Sequence, residues 1–290
     1  MLRVFLLYYC ALHAIFSSLN GEDKCFLARP YVEIAAGTDI GVNQSYSTLG
    51  VITTFPTNIT NSVSRLWLYT DASWYHLIKG SNGATVEGGF VWGNDYTAFG
   101  GYTGYDCRRW HHNSFSQIVG GIQMMRGCWQ VFVNLYCPLQ DEVVFCSTKF
   151  RYSGGFRATL RDFDATYRMA SINITRTFNT CIPCVSGVIG LEPYYMRSGS
   201  QHICDKIEQS WGGKLRFLLN ISDIFKVEAN VSHDKIFNTR AQVVLGIDLL
   251  QAFNCSYDPV CPLYHAFKRQ TLVPIKHRDS WQYNWSEYSQ

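Results

Sequence analysis

Apolar and polar residues alternate with a period of two along most of the chain. Ser64-Leu66-Leu68, Trp129-Val131-Val133-Leu135, and Arg216-Phe217-Leu218-Leu219 followed by Phe225-Val227 mark the clearest runs. Successive side chains of a strand point to opposite faces, so this spacing predicts strands, and Gly, Asn and Pro between the runs predict turns. Helical periodicity reaches only Ile203 to Ser210 and Gln242 to Phe253, and both stretches are short. Many short strands with one or two helical turns predict an all-β domain, and a β-sandwich is the architecture expected of it. No repeat of 20–50 residues and no low-complexity linker divides the chain, which predicts one domain over residues 23–263. Residues 264–290 are richer in Lys, Arg, His and Trp, lack cysteine, and read as a return strand or a loose tail.

The first 22 residues change where this domain is expected to work. Arg3 precedes an apolar run from Val4 to Phe16, and Ser17, Ser18 and Gly21 follow it, the pattern of a secretory signal peptide. The run falls short of the roughly 20 apolar residues a membrane helix needs, and no later run reaches that length. The mature chain is therefore expected to be soluble and secreted, with no membrane span. Seven Asn-x-Ser/Thr acceptors, at Asn43, Asn58, Asn173, Asn220, Asn230, Asn254 and Asn284, predict a glycosylated exterior. Of eleven cysteines, Cys10 lies in the leader, and the remaining ten predict five disulfides in an oxidising compartment. Cys255 and Cys261 are close enough to close a small loop. Cys181-Ile-Pro-Cys184 fits an internal bond or two bonds to distant partners, and the pairing of Cys107, Cys128, Cys146, Cys181, Cys184 and Cys204 stays open. A redox or zinc role for that pair is disfavoured by the secretory route and the lack of a second CxxC.

Charge and chemistry narrow the function by exclusion. The net charge is +3 and charged residues make up 16%, which lacks the concentrated basic face of a nucleic-acid partner. Aromatics at 15% and 23 glycines favour strands and tight turns. His76, His111, His112, His202, His233, His265 and His277 offer bases, yet no Gly-x-Ser-x-Gly elbow accompanies them. Adjacent His111 and His112 point to opposite faces of a strand and make a poor metal pair. No enzyme activity, cofactor or metal is expected.

The segment Ser73 to Gly101 joins an aromatic strand (Trp74, Tyr75, His76), a turn (Ser81, Asn82, Gly83) and a second aromatic strand (Trp92, Asn94, Asp95). Further along come Arg109-Trp110, Ser116-Gln117, the strand Gln130 to Cys137, Thr159-Leu160-Arg161-Asp162-Phe163, Gly190-Leu191-Glu192-Pro193, Lys214 to Leu219, and Asn254-Cys255-Ser256-Tyr257-Asp258-Pro259 followed by Cys261. In this order the pieces resemble the N-terminal domain of a betacoronavirus spike across nearly the whole mature chain. The chain departs from that pattern where Val131 and Val133 stand in place of a further cysteine before Cys137. The resemblance implies a galectin-like β-sandwich of two antiparallel sheets, a Cys25–Cys137 bond, and a Cys255–Cys261 bond closing the later loop. It implies a secreted viral glycoprotein, a free-standing copy of the spike's first domain, that binds a host glycan or surface protein for attachment, decoy or immune interference. The alternative is a structural or antigenic truncated product associating with other viral glycoproteins, and through such a partner reaching the virion surface. Loops carry recognition in such folds, so Lys79, Ser81, Asn82, Tyr102 and Tyr105 are the candidate ligand contacts, while Trp74 and Trp92 are expected in the core.

Overall fold

The computed structural model describes residues 27–61, 64–78, 81–94, 96–110, 113–151, 156–180, 182, 184–199, 209–221, 224–249 and 274–285. Fourteen strands account for nearly all of them. They are β1 (Leu27–Gly37), β2 (Tyr46–Asn61), β3 (Ser64–Leu77), β4 (Asn82–Gly93), β5 (Thr97–Trp110), β6 (Asn113–Arg126), β7 (Trp129–Pro138), β8 (Glu142–Arg151), β9 (Phe156–Asn179), β10 (Val185–Ser198), β11 (Gln209–Ile221), β12 (Phe225–Asp234), β13 (Arg240–Asp248) and β14 (Ile275–Trp285).

Each strand from β1 to β7 pairs antiparallel with the next, β7 pairs with β9, and β9 to β13 continue the meander. Tyr31 of β1 then faces Asp248 of β13, which joins the first strand to the last and closes the sheet. The result is a closed antiparallel barrel of twelve strands, without the two separate sheets and free edges of a galectin-like sandwich. The sandwich expectation is thereby corrected. A sandwich and a barrel share the period-two pattern, and only the closing register between β1 and β13 distinguishes them. The second expected helix is corrected as well. Gln242 to Asp248 lie in β13, where the register carries Val243, Leu245 and Ile247 to one face and Gln242 and Val244 to the other.

β9 is longer than the barrel wall. Its residues from Tyr167 onward pair with β7 and β10, whereas Phe156 to Thr166 pair with β8 on one side and β14 on the other. A three-stranded sheet thus rises from the barrel at one end, and the C-terminal region contributes β14 to it. Within the twelve-stranded wall the connections at this end span 38–45, 78–81, 111–112, 199–208 and 235–239, and at the other 62–63, 94–96, 127–128, 180–184 and 222–224; residues 249–274 lead from the end of β13 at this second end to β14 at the first. The barrel therefore has a long-connection end and a short-turn end.

Tyrosine and glycine partner one another across the wall. Tyr31 faces Gly50, Tyr75 faces Gly83, Tyr102 faces Gly121 and Tyr194 faces Gly212. In each pair a Cβ added to the glycine would fall 2.1–2.4 Å from the ring, so the ring lies flat over the bare backbone of the next strand. Aromatic rings covering glycines stabilise strongly curved sheets, and these four rings line the inside of the wall.

Candidate functional site: a polar lumen and its plug

The polarity of the wall is inverted relative to a water-soluble domain. On the outer face, Ile34, Leu49, Ile122, Leu135, Ile172, Ile189, Leu191, Leu215, Val231, Val243 and Leu245 are exposed. On the inner face, Gln123, Gln130, Asn134, Ser171, Asn173, Thr175, Asn230, Ser232 and Gln242 are buried. Along β11 the two faces interleave residue by residue, with Lys214, Arg216 and Asn220 inside and Leu215, Phe217 and Ile221 outside. Exposed rings gather near both ends: Trp74 and Trp211 near the long connections, and Phe90, Trp92, Phe99, Trp129, Phe178 and Phe225 near the short turns. An apolar belt bounded by aromatic rings around a polar interior is the pattern that lipid-facing barrels carry.

The lumen holds a ladder of buried charges on one wall. Arg216 on β11 reaches Glu192 of β10 at 3.5 Å and Glu228 of β12 at 3.5 Å. Lys226 continues it, at 3.2 Å from Glu228 and 3.6 Å from Glu33 of β1. Arg29 and Asp248 pair across the closing seam. From β1 on through β6 the wall carries hydroxyls and amides on carboxylates: Tyr31 donates to Asp71 at 3.0 Å, Tyr69 to Glu87 at 3.0 Å, and Gln117 to Asp106 at 2.7 Å. Charges this far from bulk water persist because each has a partner in reach.

At the long-connection end the lumen is stopped. The 38–45 connection folds inward instead of outward, starting at Gly37, whose φ of 105° suits glycine alone. Asp39 and Val42 close a tight turn through paired backbone hydrogen bonds of 2.8 and 2.9 Å. Lys214 donates to both carboxylate oxygens of Asp39, at 2.8 and 2.7 Å, and Arg108 donates to the Gly41 carbonyl at 2.9 Å. Between these polar anchors Ile40 enters an apolar cluster with Tyr136, Tyr167, Met196, Ile236 and Phe237. Ile236 and Phe237 come from the 235–239 turn, which also bends inward because both oxygens of Asp234 are engaged: Oδ1 accepts from Ile236 N and Phe237 N at 2.7 Å each, and Oδ2 from Tyr194 at 2.8 Å. The arrangement is a plug seated by one ion pair, one charged hydrogen bond and one apolar side chain.

The residues expected as ligand contacts do not converge. Ser81 is buried in the β3–β4 turn and its carbonyl accepts from Leu77 N at 2.8 Å. Asn82 is exposed on the outer face and accepts from His76 Nδ1 at 2.5 Å. Tyr102 points into the lumen and donates to Asn134, whereas Tyr105 points outward and donates to Ser116 at 2.8 Å. Trp74 and Trp92 are exposed on the outer face, outside any core. Lys79 lies outside the described residues.

Of the acceptor asparagines, Asn43 is exposed in the 38–45 connection. Asn173, Asn220 and Asn230 face the lumen, buried to 2%, 9% and 4%, where the folded barrel leaves no room for a glycan. Asn58 and Asn284 lie on β2 and β14, and Asn254 is outside the described residues. Cys107, Cys128, Cys137 and Cys184 are free thiols. Cys137 is exposed on the outer face of β7; Cys25, Cys255 and Cys261 lie outside the described residues. Among the described residues no group of His, Cys, Asp or Glu is arranged to hold a metal ion. The functional features that sequence reasoning passed over are Asp39, Lys214 and the charge ladder. Their signal was present in Lys214-Leu215-Arg216-Phe217, where charges occupy every second position of an otherwise apolar strand.

No protein family matches the sequence, and no curated protein does. Among solved structures, a chain from work on the in-meso crystallization of membrane proteins superposes with a TM-score of 0.53 at 10% identity, covering 86% of this chain and 100% of its own length. KdgM porin follows at 0.42 and 12% identity, covering 76% and 98%, and Omp33 of Acinetobacter baumannii at 0.36 and 9%, covering 77% and 98%. The resemblance to a viral spike does not hold, because the chain closes into a barrel and no similarity to a spike is found. With it go the reading as a viral attachment glycoprotein, the host receptor and viral glycoprotein partners, and the soluble, secreted product without a membrane span. No helix among the described residues is long and apolar enough to cross a membrane, which leaves crossing by strands untouched. At this identity the likeness to the first of these establishes the fold alone, a closed antiparallel β-barrel.

Proposed function

We propose that this chain spans a membrane with its twelve barrel strands and acts as a gated conduit for small polar solutes, held shut by the inward-folded 38–45 connection. The observation that carries the reading is the inversion of polarity, an exposed apolar belt around a buried polar lumen. Strands of 9 to 16 residues in most of the wall match the 9–11 residues that a tilted strand needs to cross the hydrocarbon core. Twelve strands about 4.8 Å apart and tilted about 40° enclose a backbone cylinder roughly 24 Å across, wider than the eight-stranded barrels that side chains fill completely. Short turns at one end and long connections at the other match the two sides of an outer-membrane-type barrel, with the short turns facing the cell interior. The reading assigns no catalytic step to the chain. A second reading, a membrane anchor for the β8–β9–β14 sheet, is favoured by the extension of β9 beyond the wall.

Reconstitution separates the two. The conduit reading expects liposomes bearing the native chain to be nearly impermeable to small sugars, and liposomes bearing Lys214→Met to swell in them. A chain that inserts but stays impermeable with the plug released supports the anchor. A chain that does not insert refutes the membrane span itself.

A further inference from the structure

The outer face at the short-turn end carries a feature that the conduit does not use. Arg126, the last residue of β6, faces Trp129, the first of β7, and Trp129 in turn faces Arg176 of β9. All three side chains point outward and are exposed, so two arginines flank one indole in a row across three strands. The Arg176 guanidinium lies 5.4 Å from the Trp129 ring centroid. Among the described residues neither arginine has an acidic partner. At the long-connection end the outward Arg168 differs, because Asp141 stands 3.4 Å from it.

Two unneutralised guanidiniums two strands apart, about 10 Å at the backbone, are within reach of a common anion placed over the indole. Arginine is the side chain best suited to phosphate, which it holds through paired hydrogen bonds. Toward the middle of the belt the next outward row is Met124, Val131 and Ile174, all apolar. A charged head over Arg126 and Arg176 would therefore continue directly into apolar chains lying on Met124, Val131 and Ile174.

We propose that Arg126, Trp129 and Arg176 form a binding site for the phosphate headgroup of an anionic phospholipid in the leaflet at the short-turn end. The site rests on the membrane-spanning reading. Basic residues at the membrane surface each attract anionic lipid, and here two act on one head with an aromatic ring between them.

Native mass spectrometry of the refolded barrel in detergent, offered equal amounts of dioleoylphosphatidylglycerol and dioleoylphosphatidylcholine, tests this. The native chain is expected to retain one phosphatidylglycerol in strong preference, and R126Q/R176Q to lose that preference by roughly thirtyfold, the combined effect of two surface charges. R126K/R176K keeps part of it, since lysine holds phosphate as a point charge only. R168Q/R197Q, which removes two outward arginines from the other end, leaves it intact. An unchanged lipid ratio in R126Q/R176Q, or an equal loss in R168Q/R197Q, overturns the site. Circular dichroism and resistance to unfolding in dodecyl sulfate establish that each variant is folded. Failure of the native chain to insert into liposomes refutes the membrane span, whereas insertion without lipid preference refutes this site alone.

Discussion

Replacing Lys214 with methionine removes the charge that seats the plug while keeping nearly the same volume. Both oxygens of Asp39 are held by Lys214 Nζ, at 2.8 and 2.7 Å, and both side chains are buried. Deleting one member of such a pair leaves an uncompensated buried charge, at a cost of about 3–5 kcal/mol. The cheapest relief is for the 38–45 connection to swing out and return Asp39 to water. At 1.4 kcal/mol per tenfold, the plugged state should lose roughly 150- to 4,000-fold of its advantage over the open one. The Arg108 bond to Gly41 and the seat of Ile40 remain, so release is partial and openings should be transient. Single-channel recording in planar bilayers reads this as rare, short events for the native chain and frequent ones for Lys214→Met. Adding Asp39→Asn should restore much of the closure, because it removes the stranded charge. A Lys214→Met barrel that inserts normally and records like the native chain would refute the latch.

Other consequences are local. Gly121→Ala would bring a Cβ within 2.4 Å of Tyr102 Cζ, forcing the ring off Asn134, and should destabilise the barrel by about 1–3 kcal/mol in urea unfolding from liposomes. Leu245→Arg places a charge on the belt and should cost about 2–4 kcal/mol in the same assay, and nothing comparable if that face met water. Arg216→Met should leave Glu192 and Glu228 facing each other without their shared cation, and Glu228→Gln in addition should recover part of the loss, measured as unfolding midpoints of single and double variants.

The strands themselves were legible, because period two is written into runs such as Trp129-Val131-Val133-Leu135. Which face meets the apolar surroundings was not, since a half-buried strand in water and a strand in lipid share one pattern with opposite phase. In β7 the inner face mixes Gln130 and Asn134 with Phe132 and Tyr136, so neither face of that strand is marked by composition alone. Some of the Asn-x-Ser/Thr acceptors have a second origin in the same alternation. Residues two apart on a strand share a face, so a lumen rich in Asn, Ser and Thr produces Asn-x-Ser/Thr by itself. In Asn173-Ile174-Thr175 and Asn230-Val231-Ser232 both polar residues are buried inside and the middle residue is exposed on the belt. Closure and the plug depend on contacts far apart in sequence, Tyr31 with Asp248 and Asp39 with Lys214, and no local spacing announces them.

The membrane span is tested most directly by nitroxide labels placed one at a time from Gln242 to Ile247 of the barrel in liposomes. Collision with oxygen, which concentrates in lipid, is compared with collision with a water-soluble nickel chelate. The account predicts a period-two profile along β13, with Val243, Leu245 and Ile247 reached by oxygen and shielded from nickel, and Gln242, Val244 and Gly246 less accessible to oxygen than their neighbours. Nickel access at Val243, Leu245 and Ile247 equal to that of a label in water would contradict it.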